Sequence, residues 1–202
     1  MEPNSPVDKS REIEVLESQI RECYSRVVYS HKVHEKCADI YLKRYNLIKY
    51  CQIVLSAIIS GGLLISLLGN NKASAIMATV LSILLLIVNS YMKVYDLSNL
   101  SQKQADTACM LWNIRESYLS TLTDIATGDF SIEDIRKTRN QLQEYLSMIY
   151  QNAPRTLNKA YKLAEEALTV NKEMTFSDDE IDKFLPSHLR ISKKKVISKQ
   201  PV

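Results

Sequence analysis

The sequence predicts an all-α membrane protein: a two-helix transmembrane hairpin with a long N-terminal helix and a C-terminal cytoplasmic helical bundle. Two observations carry this. From Tyr50 to Asn71, and again from Ala73 to Met92, there is no Asp, Glu, Lys, Arg or His. Crossing about 30 Å of hydrocarbon takes roughly 20 apolar residues at about 1.5 Å each, so either window suffices. The 202 residues also hold only four glycines, few prolines and no alternating apolar pattern, which leaves no strands to expect. Two core helices of a soluble α-protein are the competing explanation. Such helices usually keep charge on a solvent face, and a chain of this length cannot enclose two uncharged helices on every side.

The elements follow in order. Residues 1–9 are polar and expected to be flexible; with no apolar core near Met1 they do not read as a cleaved signal peptide. A cytoplasmic amphipathic helix is predicted over 10–49. Its stripe (Ile13, Leu16, Ile20, Cys23, Val27, Ser30, His34, Cys37, Tyr41, Arg44 and Ile48) alternates three and four apart, the spacing of a coiled-coil seam. Such a stripe buries against a partner helix, either the returning cytoplasmic segment or a neighbouring subunit. Ile13, Leu16, Ile20 and Val27 form the candidate assembly seam. With no breaker before Tyr50, the helix is expected to run on into the first span.

The hairpin occupies 50–92, with spans at about 50–68 and 73–92. Gly69-Asn70-Asn71-Lys72 is too short and too polar to be more than its turn. Basic residues orient it. Lys32, Lys36, Lys43, Arg44 and Lys49 precede the spans, Lys93 and Lys103 follow them, and the turn has Lys72 alone, so both termini are expected in the cytoplasm. Lys49 and Lys93 sit where an ammonium can reach headgroups, and Tyr45, Tyr50, Tyr91 and Tyr95 form an aromatic belt at the same interface.

Residues 93–189 read as the bundle. A helical pattern continues from the second span through Leu97, Leu111, Trp112, Tyr118 and Ile125 to Gly128, which can take the left-handed conformation that ends helices. Ser131 caps the next helix, which packs through Ile135, Leu142, Tyr145, Leu146 and Ile149 and stops before Ala153-Pro154. Another is expected from about Thr156 to Glu173, and Ser177 caps a last short one bearing Ile181, Phe184 and Leu185. Residues 190–202 are basic (Arg190, Lys193, Lys194, Lys195, Lys199) and expected to be a disordered tail in weak contact with anionic lipid.

Chemistry is sparse. A net charge of +3 gives no general attraction to nucleic acid, and no sequence-specific nucleic-acid binding is evident. No phosphate loop, metalloprotease motif or nucleophile elbow occurs, so no catalytic residue and no cofactor is expected. His31, His34 and Cys37 share a helix face, but no second cluster supplies a fourth metal ligand. Cys23, Cys37, Cys51 and Cys109 form no CxxC pair and read as reduced.

The spans carry the candidate site. At 100° per residue Lys49, Gln52, Ser56, Ser60 and Ser66 share one arc of the first helix, as do Ala75, Ala78, Thr79, Ser82, Asn89 and Lys93 on the second. A polar stripe on a membrane helix faces protein or water. Gln52, Ser56, Ser60, Ser66, Ser82 and Asn89 are therefore candidate pore-lining or helix-packing residues. Close packing through Ser56-x-x-x-Ser60 and Ala57-x-x-x-Gly61 competes with a pore, as does bonding of serines to their own backbone.

The layout resembles the SLATT family, two-span effector domains found beside nucleotide-synthesising or nucleotide-sensing proteins in bacterial conflict systems. The likeness rests on the long helix from Leu16 to Tyr50, the hairpin with its minimal turn, and the following helix with Trp112, Arg115 and Tyr118. Ala153-Pro154-Arg155-Thr156 and the ending from Phe176 to Leu189 resemble a subgroup often encoded near a reverse transcriptase. The resemblance implies a pore-forming effector of antiphage defence in the bacterial inner membrane. The expected partners are the lipid bilayer, further copies in a cyclic homo-oligomer, since one hairpin of two helices cannot enclose water, and a trigger that could be a nucleotide signal or a partner sensor protein. Arg136, Arg139 and Arg155 could meet phosphates, although solvated surface or internal pairing explains them too. The alternative function is a non-conducting anchor or scaffold that recruits a cytoplasmic partner.

Overall fold

A computed structural model describes residues 6–69, 72–186 and 190. Helix α1 (Pro6–Gly69) is a single run of 64 residues. Neither glycine nor proline occurs between Pro6 and Gly61, so nothing interrupts its hydrogen-bond ladder, and it passes through Tyr50 into the apolar window. It starts earlier than Ser10 because the fixed φ of Pro6 suits a first helical position. There follow α2 (Lys72–Val94), α3 (Leu97–Thr127), α4 (Ile132–Asn152), α5 (Asn158–Thr169) and α6 (Asp178–Phe184), with no strand among the described residues. Residues 1–5, Asn70, Asn71, residues 187–189 and the tail after Arg190 lie outside the described residues, and the expectations placed on them stay there.

The chain divides between Ala164 and Glu165 into two compact units. In the first, α1 packs along both α3 and α2, and α4 packs on α3 and α1. One core cluster joins Leu16, Ile20, Cys23 and Val27 of α1 to Leu111, Ile114, Tyr118 and Ile125 of α3 and to Ile135 and Leu142 of α4. A second joins Val33, Cys37 and Ile40 to Ala160 and Ala164. Burying a side chain of this size is worth about 1.5–3 kcal/mol. The occupant of the α1 stripe is therefore the returning segment of the same chain. Leu16, Ile20 and Val27 are buried and Ile13 packs at the margin, which corrects the use of these four residues as an assembly seam: their apolar surface is consumed inside the subunit. Farther along, Ser30, Tyr41 and Ile48 are half-buried and Arg44 is exposed.

Three local differences have physical causes. The continuity expected after the second span breaks at Tyr95-Asp96, where the Asp96 carboxylate accepts from the Asn99 N–H at 3.1 Å and caps α3. Tyr145 lies 56% exposed on the outer face of α4 and does not join its packing face. In the second unit α5 ends at Thr169, short of Glu173, and the chain turns through Lys172 and Met174 with φ of 51° and 69°. The remaining punctuation is as expected. Gly128 ends α3 at φ 79°, Ser131 caps α4, and Ser177 caps α6 in a reciprocal box with Glu180. Ile181 and Phe184 are exposed.

Candidate functional site

The hairpin is apolar on the outside and thinly packed within. Only 6% of each apolar window is buried, and Ile53, Leu64, Leu67, Ile76, Leu86 and Ile87 all stand exposed. A soluble protein would pay heavily for such a surface; hydrocarbon removes the penalty. The buried contact lies at Ile59 and Ala78. A Cβ on Gly62 would stand 3.8 Å from that of Ala78, whereas one on Gly61 would meet nothing within 4 Å. Ser56, Ala57, Ser60 and Gly61 are exposed, so the close approach uses Gly62 with Ala78 and not the two small-residue pairs picked from spacing.

Of the six candidate stripe residues, the fold brings two together. Gln52 Nε2 donates to Asn89 Oδ1 at 2.7 Å, bridging α1 and α2. The hydroxyls turn to their own helices: Ser60 donates to the Ser56 carbonyl at 2.9 Å and Ser82 to that of Ala78 at 2.8 Å. Ser66 is half-buried, and Ser56 and Ser82 are exposed. At the bundle end of the hairpin the Tyr91 and Tyr95 rings lie 4.7 Å apart and Lys49 Nζ sits 5.6 Å over the Tyr45 ring.

Below the hairpin, polar links fasten α1 to its neighbours. His34 Nδ1 and Gln104 Oε1 are 2.5 Å apart, and Gln104 Nε2 donates to the Arg155 carbonyl at 2.9 Å. Because the amide nitrogen is spent on Arg155, the Gln104 oxygen accepts, which places a proton on His34 Nδ1. Ser101 donates to the Ala38 carbonyl at 2.9 Å, and the Leu157 N–H donates to Cys37 Sγ at 3.3 Å. Burial pushes both His31 and His34 below the ordinary imidazole range; Glu35 opposes this at His31, and the Gln104 bond opposes it at His34. His34 and Cys37 are thus engaged separately, His31 Nε2 lies 3.7 Å from Glu35, and no group of three or more metal-ligating side chains occurs among the described residues. All four cysteines are free.

A family model, that of the SMODS and SLOG-associating 2TM effector domain family 4, matches residues 16–180. The chain belongs to this family. No curated protein and no solved structure matches it. The SLATT domain so delimited takes in α1 from Leu16, both apolar helices and α3 to the first turn of α6. It makes the chain a two-span membrane effector domain of a family not known for enzymes.

Within the SLATT domain, the three residues that carried the likeness have distinct places. Arg115 is buried with its guanidinium 4.4 Å over the Trp112 ring, and Tyr118 is fully enclosed. Arg139 donates to Gln19 at 3.0 Å and Arg136 pairs with Glu12, so two of the three arginines considered for phosphates tie α4 to α1. Arg155 is exposed. Sequence reasoning missed Gln104. Its only signal is a polar residue inside the apolar period of α3, between Leu97 and Leu111.

Proposed function

We propose that this SLATT domain is an oligomeric pore-forming effector of a bacterial antiphage or conflict system, seated in the inner membrane with both termini cytoplasmic. One hairpin offers two helices and encloses no water, so several copies around an axis are required. The observation that supports the reading best is the Gln52–Asn89 pair on helices otherwise clad in exposed apolar side chains. The bond uses one donor and one acceptor, and leaves the Asn89 amide hydrogens and the Gln52 oxygen for water or a neighbouring hairpin. Because α1 is continuous, a displacement of the bundle by a nucleotide signal or a sensor protein reaches the first span without an intervening loop.

A non-conducting scaffold is favoured by one specific observation: the Ser60 and Ser82 hydroxyls are satisfied by their own helices. Induced expression of the full chain separates the two. A pore collapses membrane potential and dye exclusion, and Gln52→Leu with Asn89→Leu abolishes the effect while membrane insertion persists. A scaffold is indifferent to the double change.

A further inference from the structure

A cavity of about 550 Å³ opens between α1 and α4, walled by Cys23, Arg26, Tyr118, Gln143, Leu146 and Tyr150 among others. That volume lies in the range of small-molecule sites, about 300–1,000 Å³. Polar bridges close α1 onto α4 to either side of it, Tyr150 donating to Ser30 at 2.8 Å and Arg139 to Gln19 at 3.0 Å.

One donor on this wall is buried without an acceptor, and a loosely held cation stands beside it. Tyr118 is fully buried, and its hydroxyl makes no hydrogen bond by ordinary geometry; the Cys23 thiol, Arg26 and Tyr150 are the polar groups around it. Burial and that thiol push the phenol up to about 12, so it keeps its proton at neutral pH and remains a donor. Arg26 reaches the same thiol at 3.4 Å, a weak acceptor, and Glu22 at a loose 3.9 Å. Its side chain is 65% exposed, so the guanidinium is free to turn toward a solute in the cavity. No carboxylate lines the cavity, whereas Gln143 adds an amide and Leu146 and the Tyr150 ring add apolar surface. A cation, an orphaned buried donor and a ring-lined wall describe a missing anionic acceptor with a flat apolar body.

We propose that the α1–α4 cavity binds a small planar organic anion, whose charged group supplies the acceptor that Tyr118 lacks and takes the place of Cys23 at Arg26. The site joins the long helix to α4, so occupancy biases how α1 is held. That regulatory consequence rests on the gated-effector reading; the binding itself does not.

The test is calorimetric titration of the full chain in lipid nanodiscs with 4-nitrophenyl phosphate as probe and inorganic phosphate as the comparison. Saturable binding is expected. Tyr118→Phe, which keeps the ring, and Arg26→Gln, which alters an exposed residue, each weaken it about tenfold, the loss expected of a charge-assisted hydrogen bond. Both variants keep the unliganded melting temperature and helicity. Phosphate alone binds more weakly. The proposal is overturned by no saturable binding up to about 10 mM, by unchanged affinity in either variant, or by phosphate binding as tightly as the ester. If binding holds while induced expression of the unsubstituted chain leaves membrane potential and dye exclusion intact, the pore reading falls and the site stands.

Discussion

Truncating Ile20 to alanine asks whether the α1 stripe is satisfied within one chain. Ile20 is wholly buried in the cluster that includes Leu16, Val27, Leu111 and Tyr118. The change removes three carbons, worth about 2.4 kcal/mol at roughly 0.8 kcal/mol each. The cavity left in a core built from three helices adds to this, for a total of about 3–4 kcal/mol within the usual 2–5. Denaturant unfolding of the detergent-solubilised chain, followed by far-ultraviolet circular dichroism at two widely separated protein concentrations, measures it. The loss should be the same at both, because the lost contacts lie inside the subunit. A loss below about 1 kcal/mol, or one that grows on dilution together with dissociation, would refute the reasoning and return the stripe to a subunit interface. By the same logic Glu at Ile20 and Val27 should unfold the bundle, not release intact subunits.

Gln104→Leu leaves the His34 Nδ1–H and the Arg155 carbonyl without their partner, at about 1–3 kcal/mol each; thermal unfolding should show it, with faster hydrogen exchange near Leu157. Acidification should destabilise the bundle. His31 and His34 titrate below their unfolded value of about 6.5, so their contribution is complete above that pH and is lost as pH falls through the folded values, with a slope of at most ~1.4 kcal/mol per pH unit for each histidine. A pH series of unfolding midpoints checks this, and His34→Gln should flatten the slope. Gly128→Ala forces a Cβ into φ 79° and should cost about 1 kcal/mol, seen as a lowered unfolding midpoint.

The elements legible in the sequence are those set by local chemistry: uncharged windows of membrane length, the left-handed Gly128, the caps at Ser131 and Ser177, and the stop before Pro154. What escaped depends on which surfaces meet. The spacing of Ile13, Leu16, Ile20 and Val27 announces a buried stripe, but an in-chain helix and a neighbouring subunit ask for the same residues. The Gln52–Asn89 bond was half-legible, since both residues were picked for polarity and only the hairpin's register could pair them. Gln104 shows the reverse. A polar residue on an apolar face looks like a blemish until its partners, which lie far away in sequence, are known.

The two membrane helices are joined to the bundle in unlike ways. From Val27 in the core to Gln52 in the first span, α1 is an unbroken rod of about 38 Å at 1.5 Å per residue. A tilt of about 5° at its base swings the Gln52 end by roughly 3 Å, comparable to the length of the bond to Asn89. On the other side, α2 meets α3 through a joint at Tyr95-Asp96, fastened by one carboxylate cap. On the gated-effector reading, bundle motion is transmitted as leverage along one helix and absorbed as bending beside the other, so the load falls first on the Gln52–Asn89 bond.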